Sequence, residues 1–214
     1  NDDMIGISIV RDIPMCAPWG GTRPVTGTNP ISIAVPARKA YPVVLDFATT
    51  IVSGGHLLTL LLERKSIPEG WLIDRYGKPV SGYNITLESH DEFWKEGGAL
   101  LPFGTYKGYG LNLVVEILAG ALNPSGTGSR SRDQGCLMMA FNISAFVPVK
   151  DFKDEVDRLL AEIKLSPPRP GFDEVLVPGE REHVTMERRK KEGIPIDETS
   201  WLNILGTCEK LGVD

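Results

Sequence analysis

Only three cysteines and three histidines occur in 214 residues. Cys16, Cys136 and Cys208 lie far apart and form no C-x-x-C pair, which argues against a disulfide framework and a structural zinc site and points to a reducing, cytoplasmic setting. His56, His90 and His183 make no H-E-x-x-H pair or His/Cys ligand set, so no metal is expected. Basic charge is short as well: 23 Lys and Arg stand against 28 Asp and Glu, a net charge of −5, and a nucleic-acid partner is not expected. No apolar run reaches the roughly 18 residues of a membrane span. The termini show neither a secretory signal nor a lipidation motif. Three fingerprints are missing too: the Rossmann G-x-G-x-x-G, the P-loop and the G-x-S-x-G nucleophile elbow. Cys16 has no sequence-evident base, so a hydrolase has no support.

What the chain does have is 42% hydrophobic residues, enough for a sizeable core, with 23 glycines and 16 prolines that demand many turns. Met4–Val10 reads as a strand, and Arg11–Asn29, with three prolines and three glycines, as a long special loop. Ile31–Val35 and Val43–Phe47 are β-branched runs that form a wide hairpin and are expected to be largely buried. A helix is expected from Thr49 or Thr50 as N-cap through Leu57, Leu58, Leu61 and Leu62. Residues 66–103, rich in turn chemistry, read as a surface excursion. Leu111–Leu122 is apolar on nearly every side and is expected to be a central helix packed on several faces. Cys136–Phe141 reads as a buried strand, residues 152–163 as an amphipathic helix and Phe172–Val177 as a last strand. Glu180–Glu192 and a stretch starting near Asp197 are the final helices. Strands alternating with helices give an α/β class, a mixed β-sheet flanked by helices.

The sharpest chemical feature is Leu101-Pro-Phe-Gly-Thr-Tyr-Lys-Gly-Tyr-Gly110, three glycines and a lysine just before the most apolar helix. Glycine admits a phosphate close to the backbone, first-turn amides point outward, and Lys107 adds a mobile positive charge. A solvated lysine on a tight turn is the bland alternative. Asp46-Phe-Ala-Thr-Thr50 places a carboxylate at a strand end, suited to ribose hydroxyls or to plain capping. Pro178-Gly-Glu-Arg-Glu182 sets a turn and an acid before a helix, either a nucleotide contact or an ordinary helix start. Arg132, after a Ser/Gly loop, is able to clamp a carboxylate, although an exposed arginine in such a loop more often has no specific role.

Together with Gly27-Thr-Asn-Pro30, Pro14-Met-Cys-Ala-Pro-Trp-Gly-Gly21, Glu116-Ile-Leu-Ala-Gly-Ala-Leu122 and Glu192-Gly-Ile-Pro-Ile196, these motifs resemble, in order along the whole chain, the type 2 malate/L-lactate dehydrogenase family, which includes ureidoglycolate and sulfolactate dehydrogenases. The resemblance implies a non-Rossmann nicotinamide-dinucleotide-binding fold, usually a homodimer, and an NAD(P)-dependent oxidoreductase that interconverts a 2-hydroxy acid and its 2-oxo acid. Carried over by position, Asp12, Asp46, Phe47, Ala48, Lys107, Gly179, Glu180 and Arg181 would contact the cofactor, and Arg132 the substrate. The Gly126–Gly135 stretch is shorter and more serine-rich than the family pattern. The family's catalytic histidine belongs to a region upstream of the Gly6-Ile-Ser8 strand and is matched by none of His56, His90 and His183. Residues 1–214 are therefore expected to be the cofactor-binding portion of a longer dehydrogenase, with residues 180–214 packing back on an adjoining domain. An acidic group near the adenine ribose favours NAD, with NADP as the alternative cofactor. The alternative function is a catalytically inactive dinucleotide-binding module.

Overall fold

The computed structural model describes residues 3–38, 41–131 and 133–213. Four strands, β1 (Met4–Arg11), β2 (Ile31–Val35), β3 (Val43–Phe47) and β7 (Gly135–Asn142), form a sheet in the order β3-β2-β1-β7. Its pairings are all antiparallel. Strands β4 (Ile67–Ile73), β5 (Pro79–Gly82) and β6 (Ala99–Leu100) form a smaller antiparallel sheet in the order β5-β4-β6. The helices are α1 (Gly54–Leu62), α2 (His90–Lys95), α3 (Tyr106–Glu116), α4 (Val149–Lys164), α5 (Glu180–Glu192) and α6 (Glu198–Leu211). The α/β class with sheets flanked by helices agrees with the sequence reading.

Strand alternation decides which face of the large sheet is covered. Ile7, Ile9, Ile31 and Leu137 face Val115 and Ala119 on α3 and the π-helical turn Ile117–Ala121 that extends it. Ser8 pairs with Ser32 and Met138, and Ser32 with Asp46, so these four share the opposite face. That face is open: Asp46 is exposed and Met138 is 76% exposed. The expected burial of β2, β3 and residues 136–141 is therefore corrected, because the chain covers one face of the sheet and leaves the other to solvent. The same holds for α3 and its extension. Asn112, Val115, Glu116, Ala119 and Gly120 are buried, while Leu113, Ile117, Leu118 and Leu122 remain exposed, so this helix packs on one face and not several.

The segment 66–103 is not a surface excursion. Ile67, Leu72, Ile85 and Leu100 form a core with Val52 and with Leu57 and Leu61 of α1, on which Trp71, Phe93 and Trp94 pack. The register of β4 shifts between Ile67 and Leu72, so the strand lacks the alternation that marks one in sequence. Cys16 bridges to Thr26 and to Leu100, so the 11–29 loop joins the two sheets. Helix α1 starts later than expected. Its N-cap is Ser53, whose side chain accepts the His56 amide at 3.1 Å, while Thr49 and Thr50 are buried before it. Residues 172–177 form no strand, but the next residue's carbonyl, Pro178, accepts the Val44 amide at 3.1 Å on the outer edge of β3.

Candidate functional site

Strand β3 and its continuation organise the sequence-flagged turns. The Val44 amide holds Pro178 on one side. On the other, Ile51 donates to the Leu101 carbonyl at 2.9 Å and Phe103 donates to the Thr49 carbonyl at 3.2 Å. The Phe47 ring meets Phe103 edge-on at 5.4 Å. The residues 46–48, the glycine and lysine turn and the Pro178–Gly179 turn are thus anchored to one stretch of chain.

The turn before α3 has unusual backbone. Gly104 has φ 53°, and Thr105, the N-cap of α3, has φ 61° and ψ −126°. A β-branched residue in that region is strained, and such strain concentrates at functional sites. Its side chain makes no capping hydrogen bond, and of the first-turn amides that of Lys107 makes a long 3.4 Å bond to the Gly104 carbonyl; a helix start without a side-chain cap is the state that takes an anion. Lys107, the second residue of α3, is exposed. The turn is held from behind: a Cβ on Gly108 would run into the Phe103 carbonyl, so glycine is required there by backbone contact. A Cβ on Gly104 would meet nothing within 4 Å, which leaves that backbone open to a close ligand.

At the other end, Gly179 is the left-handed N-cap of α5, with φ 89°. A Cβ there would lie 2.9 Å from the Val44 nitrogen. Glu180 is half-buried and already engaged: it accepts Lys164 Nζ at 2.7 Å and the Val177 amide at 3.0 Å, and Tyr41 also hydrogen-bonds to it. Burial pushes this carboxyl up, but Lys164, the Val177 amide and Tyr41 outweigh it, and the group stays below the usual glutamate range. Tyr41 also stacks on His183 at 4.5 Å. Glu180 thus fastens its own turn to α4 and the β2–β3 connection. Arg181 is exposed and lines a shallow groove on α5 with Met186 and Arg189.

Asp12 directly follows β1. Its carboxylate accepts the Thr28 hydroxyl at 3.1 Å and the Gln134 amide at 2.7 Å, which makes it a tie between loops. Ala48 is half-buried directly after β3, and Arg132 lies outside the described residues. Burial pushes the Cys16 thiol up to about 12, so it is no nucleophile near neutral pH. Among the described residues no cluster of His, Cys, Asp and Glu has the arrangement of a metal site.

Sequence reasoning missed a buried polar network. Arg11, fully buried at the end of β1, donates from Nε to Glu116 of α3 at 3.1 Å. Asn29 donates to the other Glu116 oxygen at 2.8 Å, and Asn112 donates to the Gly27 carbonyl and to the Thr49 hydroxyl, both at 2.9 Å. The Thr49 hydroxyl lies 3.0 Å from the Thr28 and Asn29 carbonyls. A usable signal existed: Glu116 is the one charged residue in the apolar run Leu111–Leu122, and such a charge is buried only with a partner. Removing one member of a buried ion pair costs about 3–5 kcal/mol, because it strands the other charge.

The sequence model of the malate/L-lactate dehydrogenase family matches residues 1–205. A malate dehydrogenase of Pyrococcus horikoshii is 38% identical over 228 aligned positions, which cover 100% of this chain and 61% of that protein. The NAD(+)-dependent ureidoglycolate dehydrogenase of Escherichia coli O157:H7 is 31% identical across 90% of this chain and 55% of its own length. The solved sulfolactate dehydrogenase of Methanocaldococcus jannaschii superimposes with a TM-score of 0.80 at 37% identity, over 99% of this chain and 60% of that one. The chain thus spans about three fifths of the length of such relatives.

Proposed function

The chain belongs to the malate/L-lactate dehydrogenase family, and on that premise we propose that it is the cofactor-binding portion of a longer enzyme that interconverts a 2-hydroxy acid and its 2-oxo acid. The observation that supports this most is the uncapped start of α3, with open Gly104 and exposed Lys107, anchored beside the end of β3. A nicotinamide dinucleotide supplies the hydride acceptor and donor when bound. The chain's own groups then divide the work of binding. The first-turn amides of α3 and Lys107 take the pyrophosphate. Asp46, exposed at the end of β3, takes ribose hydroxyls. Phe47 and Ala48 line the strand end, and the Gly179–Arg181 turn closes over the nucleotide, held in place by Glu180. Arg132 takes the substrate carboxylate. Asp12 acts through the loops it ties, Thr28–Asn29 and Gln134. The acid/base histidine belongs to the part of the enzyme outside this chain.

The preferred cofactor is NAD. A groove of about 880 Å³ runs between α4, Tyr41 and Val177, beside Glu180. Each cation that the described residues place on its wall is paired: Arg38 with Asp154, Arg158 with Glu155 and Glu162, Lys164 with Glu174 and Glu180. Among the described residues this wall has no spare positive charge for a 2′-phosphate. Cys16, Cys136 and Cys208 are free, which suits a reducing compartment, and on that ground we place the enzyme in the cytoplasm. It forms a homodimer, with the exposed Leu113, Ile117, Leu118 and Leu122 face and the Trp201, Leu202 and Leu205 side of α6 covered by the partner and by the remainder of the polypeptide.

The test is fluorescence titration with NADH and NADPH, followed by turnover of malate, lactate and ureidoglycolate and their 2-oxo partners by the complete polypeptide. Tighter NADH binding with NADH-dependent reduction of one of the oxo acids supports the proposal. NADH binding without turnover of any of them supports the inactive module, and no binding of either nucleotide refutes both.

A further inference from the structure

We propose that Arg11 is a positioning residue for the substrate side of the site: its buried guanidinium is the core around which the Gly128–Asp133 loop folds. This rests on the proposed reading of that loop as the substrate-side segment.

Three backbone carbonyls of the loop converge on this one side chain. Arg11 Nη2 donates to Gly128 at 2.8 Å and to Ser131 at 2.9 Å, and Nη1 donates to Asp133. Its fourth hydrogen bond, from Nε, goes to Glu116, and Glu116 in turn accepts the Gly128 amide at 2.7 Å. The loop is therefore gripped at a carbonyl and an amide of the same residue by two opposite charges. Gly128 takes φ 64° to present both. The close packing of Gly120 against the Gly126 carbonyl brings the loop down onto the π-helical turn, and Ser131 reaches back to the Ser125 carbonyl. The guanidinium is fully buried, so it contributes no charge to a ligand directly. Without it, three carbonyls would face the Glu116 carboxylate with no donor between them, and the loop would have to open to water.

Ser131 and Asp133, whose carbonyls Arg11 holds, are the sequence neighbours of Arg132. Through Glu116 and Asn29 the same network continues to Asn112 and Thr49, three residues after Asp46. Arg11 thus references the substrate loop to the helix that carries Lys107. A bidentate grip on a carboxylate tolerates little misplacement, so loosening the loop acts on substrate recognition before it acts on cofactor binding.

The test is Arg11→Gln in the complete enzyme, with KM for the oxo acid, kcat and the NADH dissociation constant measured side by side. The expected result is a KM increase of tenfold or more with the NADH constant changed by less than twofold. Introduced into an Arg132→Ala background, Arg11→Gln adds less than twofold, since both changes remove the same contact. A folded Arg11→Gln enzyme with unchanged KM, or with substrate and cofactor constants raised equally, overturns the proposal. Where Arg11→Gln does not fold, Gly128→Ala replaces it. A Cβ there meets only Val25 atoms at 3.9–4.0 Å, yet φ 64° disfavours alanine, so the loop loosens while the ion pair stays. Gly128→Ala is expected to reproduce the split, and an unchanged KM overturns the proposal. Arg132→Ala separates the two layers. If it leaves KM unaltered, the substrate-side reading itself falls. If it raises KM while the Arg11 and Gly128 variants do not, the positioning role alone falls.

Discussion

Replacing Gly179 by alanine perturbs the joint between the Pro178–Gly179 turn and β3 in a way that can be worked from geometry. Gly179 sits at φ 89°, where an L-residue pays about 1 kcal/mol. Its new Cβ would stand 2.9 Å from the Val44 nitrogen and 3.1 Å from the Val44 Cβ. Both contacts are too close to keep, so the turn must lift and give up the 3.1 Å bond from the Val44 amide to the Pro178 carbonyl. That bond is worth about 1 kcal/mol net. Together the local opening equilibrium shifts by about 2 kcal/mol, or about thirtyfold. Hydrogen exchange at the Val44 amide reads it directly and should accelerate by that factor. Gly171→Ala is the matched control: φ is 91° and nothing lies within 4 Å of its Cβ, so it pays the conformational cost alone and leaves Val44 unchanged. Equal protection of Val44 in wild type and Gly179→Ala, or equal loss in both alanine variants, would refute the reasoning. Under the proposed function NADH also weakens by at least tenfold in Gly179→Ala and not in Gly171→Ala.

Lys107→Ala should raise the NADH dissociation constant about tenfold, near the lower end of the 1.5–3 kcal/mol for a hydrogen bond to a charged group because the lysine is exposed; an unchanged titration removes Lys107 from the site. Lys150 and Arg38 hold the Asp154 carboxyl at about 2, below its ordinary 3.8. This depressed group stabilises the α4 contact above 3.8, and the contribution is lost as pH falls through about 2; acid unfolding of Asp154→Asn should lack that component, and identical acid curves would contradict it. In native protein at pH 8 a thiol reagent should modify exposed Cys136 and spare Cys16 until denaturant is added; rapid native labelling of Cys16 would contradict its burial.

Strands β2 and β3 were legible because β-branched runs bounded by proline have few alternatives, and α6 because Asp197 caps it, accepting the Ser200 amide at 2.9 Å. What failed was burial. Apolar character in β7 and in Leu111–Leu122 marks a surface to be covered, without saying whether this chain covers it: Met138 and Leu122 are 76% and 71% exposed. The start of α1 failed for a related reason. Thr49 and Thr50 look like caps in sequence, but their hydroxyls serve carbonyls of Thr28, Asn29 and Val52. The small sheet failed because β4 and β6 pair across an intervening helix, β6 is only two residues long, and the register of β4 shifts between Ile67 and Leu72, where Pro68 and Gly70 break its alternation. The glycine turn before α3 was legible as backbone geometry, since Gly104 does take a left-handed φ of 53° there. The Arg11–Glu116 pair was not, since 105 residues separate its members and no local pattern spans that distance.

The missing G-x-G-x-x-G follows from the sheet. That fingerprint serves a crevice at the carboxyl ends of parallel strands, where a strand feeds straight into the helix that meets the pyrophosphate. The pairings here are antiparallel, so neighbouring strands send their carboxyl ends in opposite directions and no such crevice forms. A helix start can still be brought to a strand end, but only from elsewhere in the chain. Here α3 reaches the end of β3 through Phe103 and the 49–51 continuation, 59 residues after Phe47 in numbering, and the Pro178 turn arrives on the free edge of the same strand. A dinucleotide site built this way must be dispersed into short motifs. Under the proposed function its precision depends on what ties those motifs together in the interior, where Thr49, Asn112, Asn29, Glu116 and Arg11 are hydrogen-bonded in series.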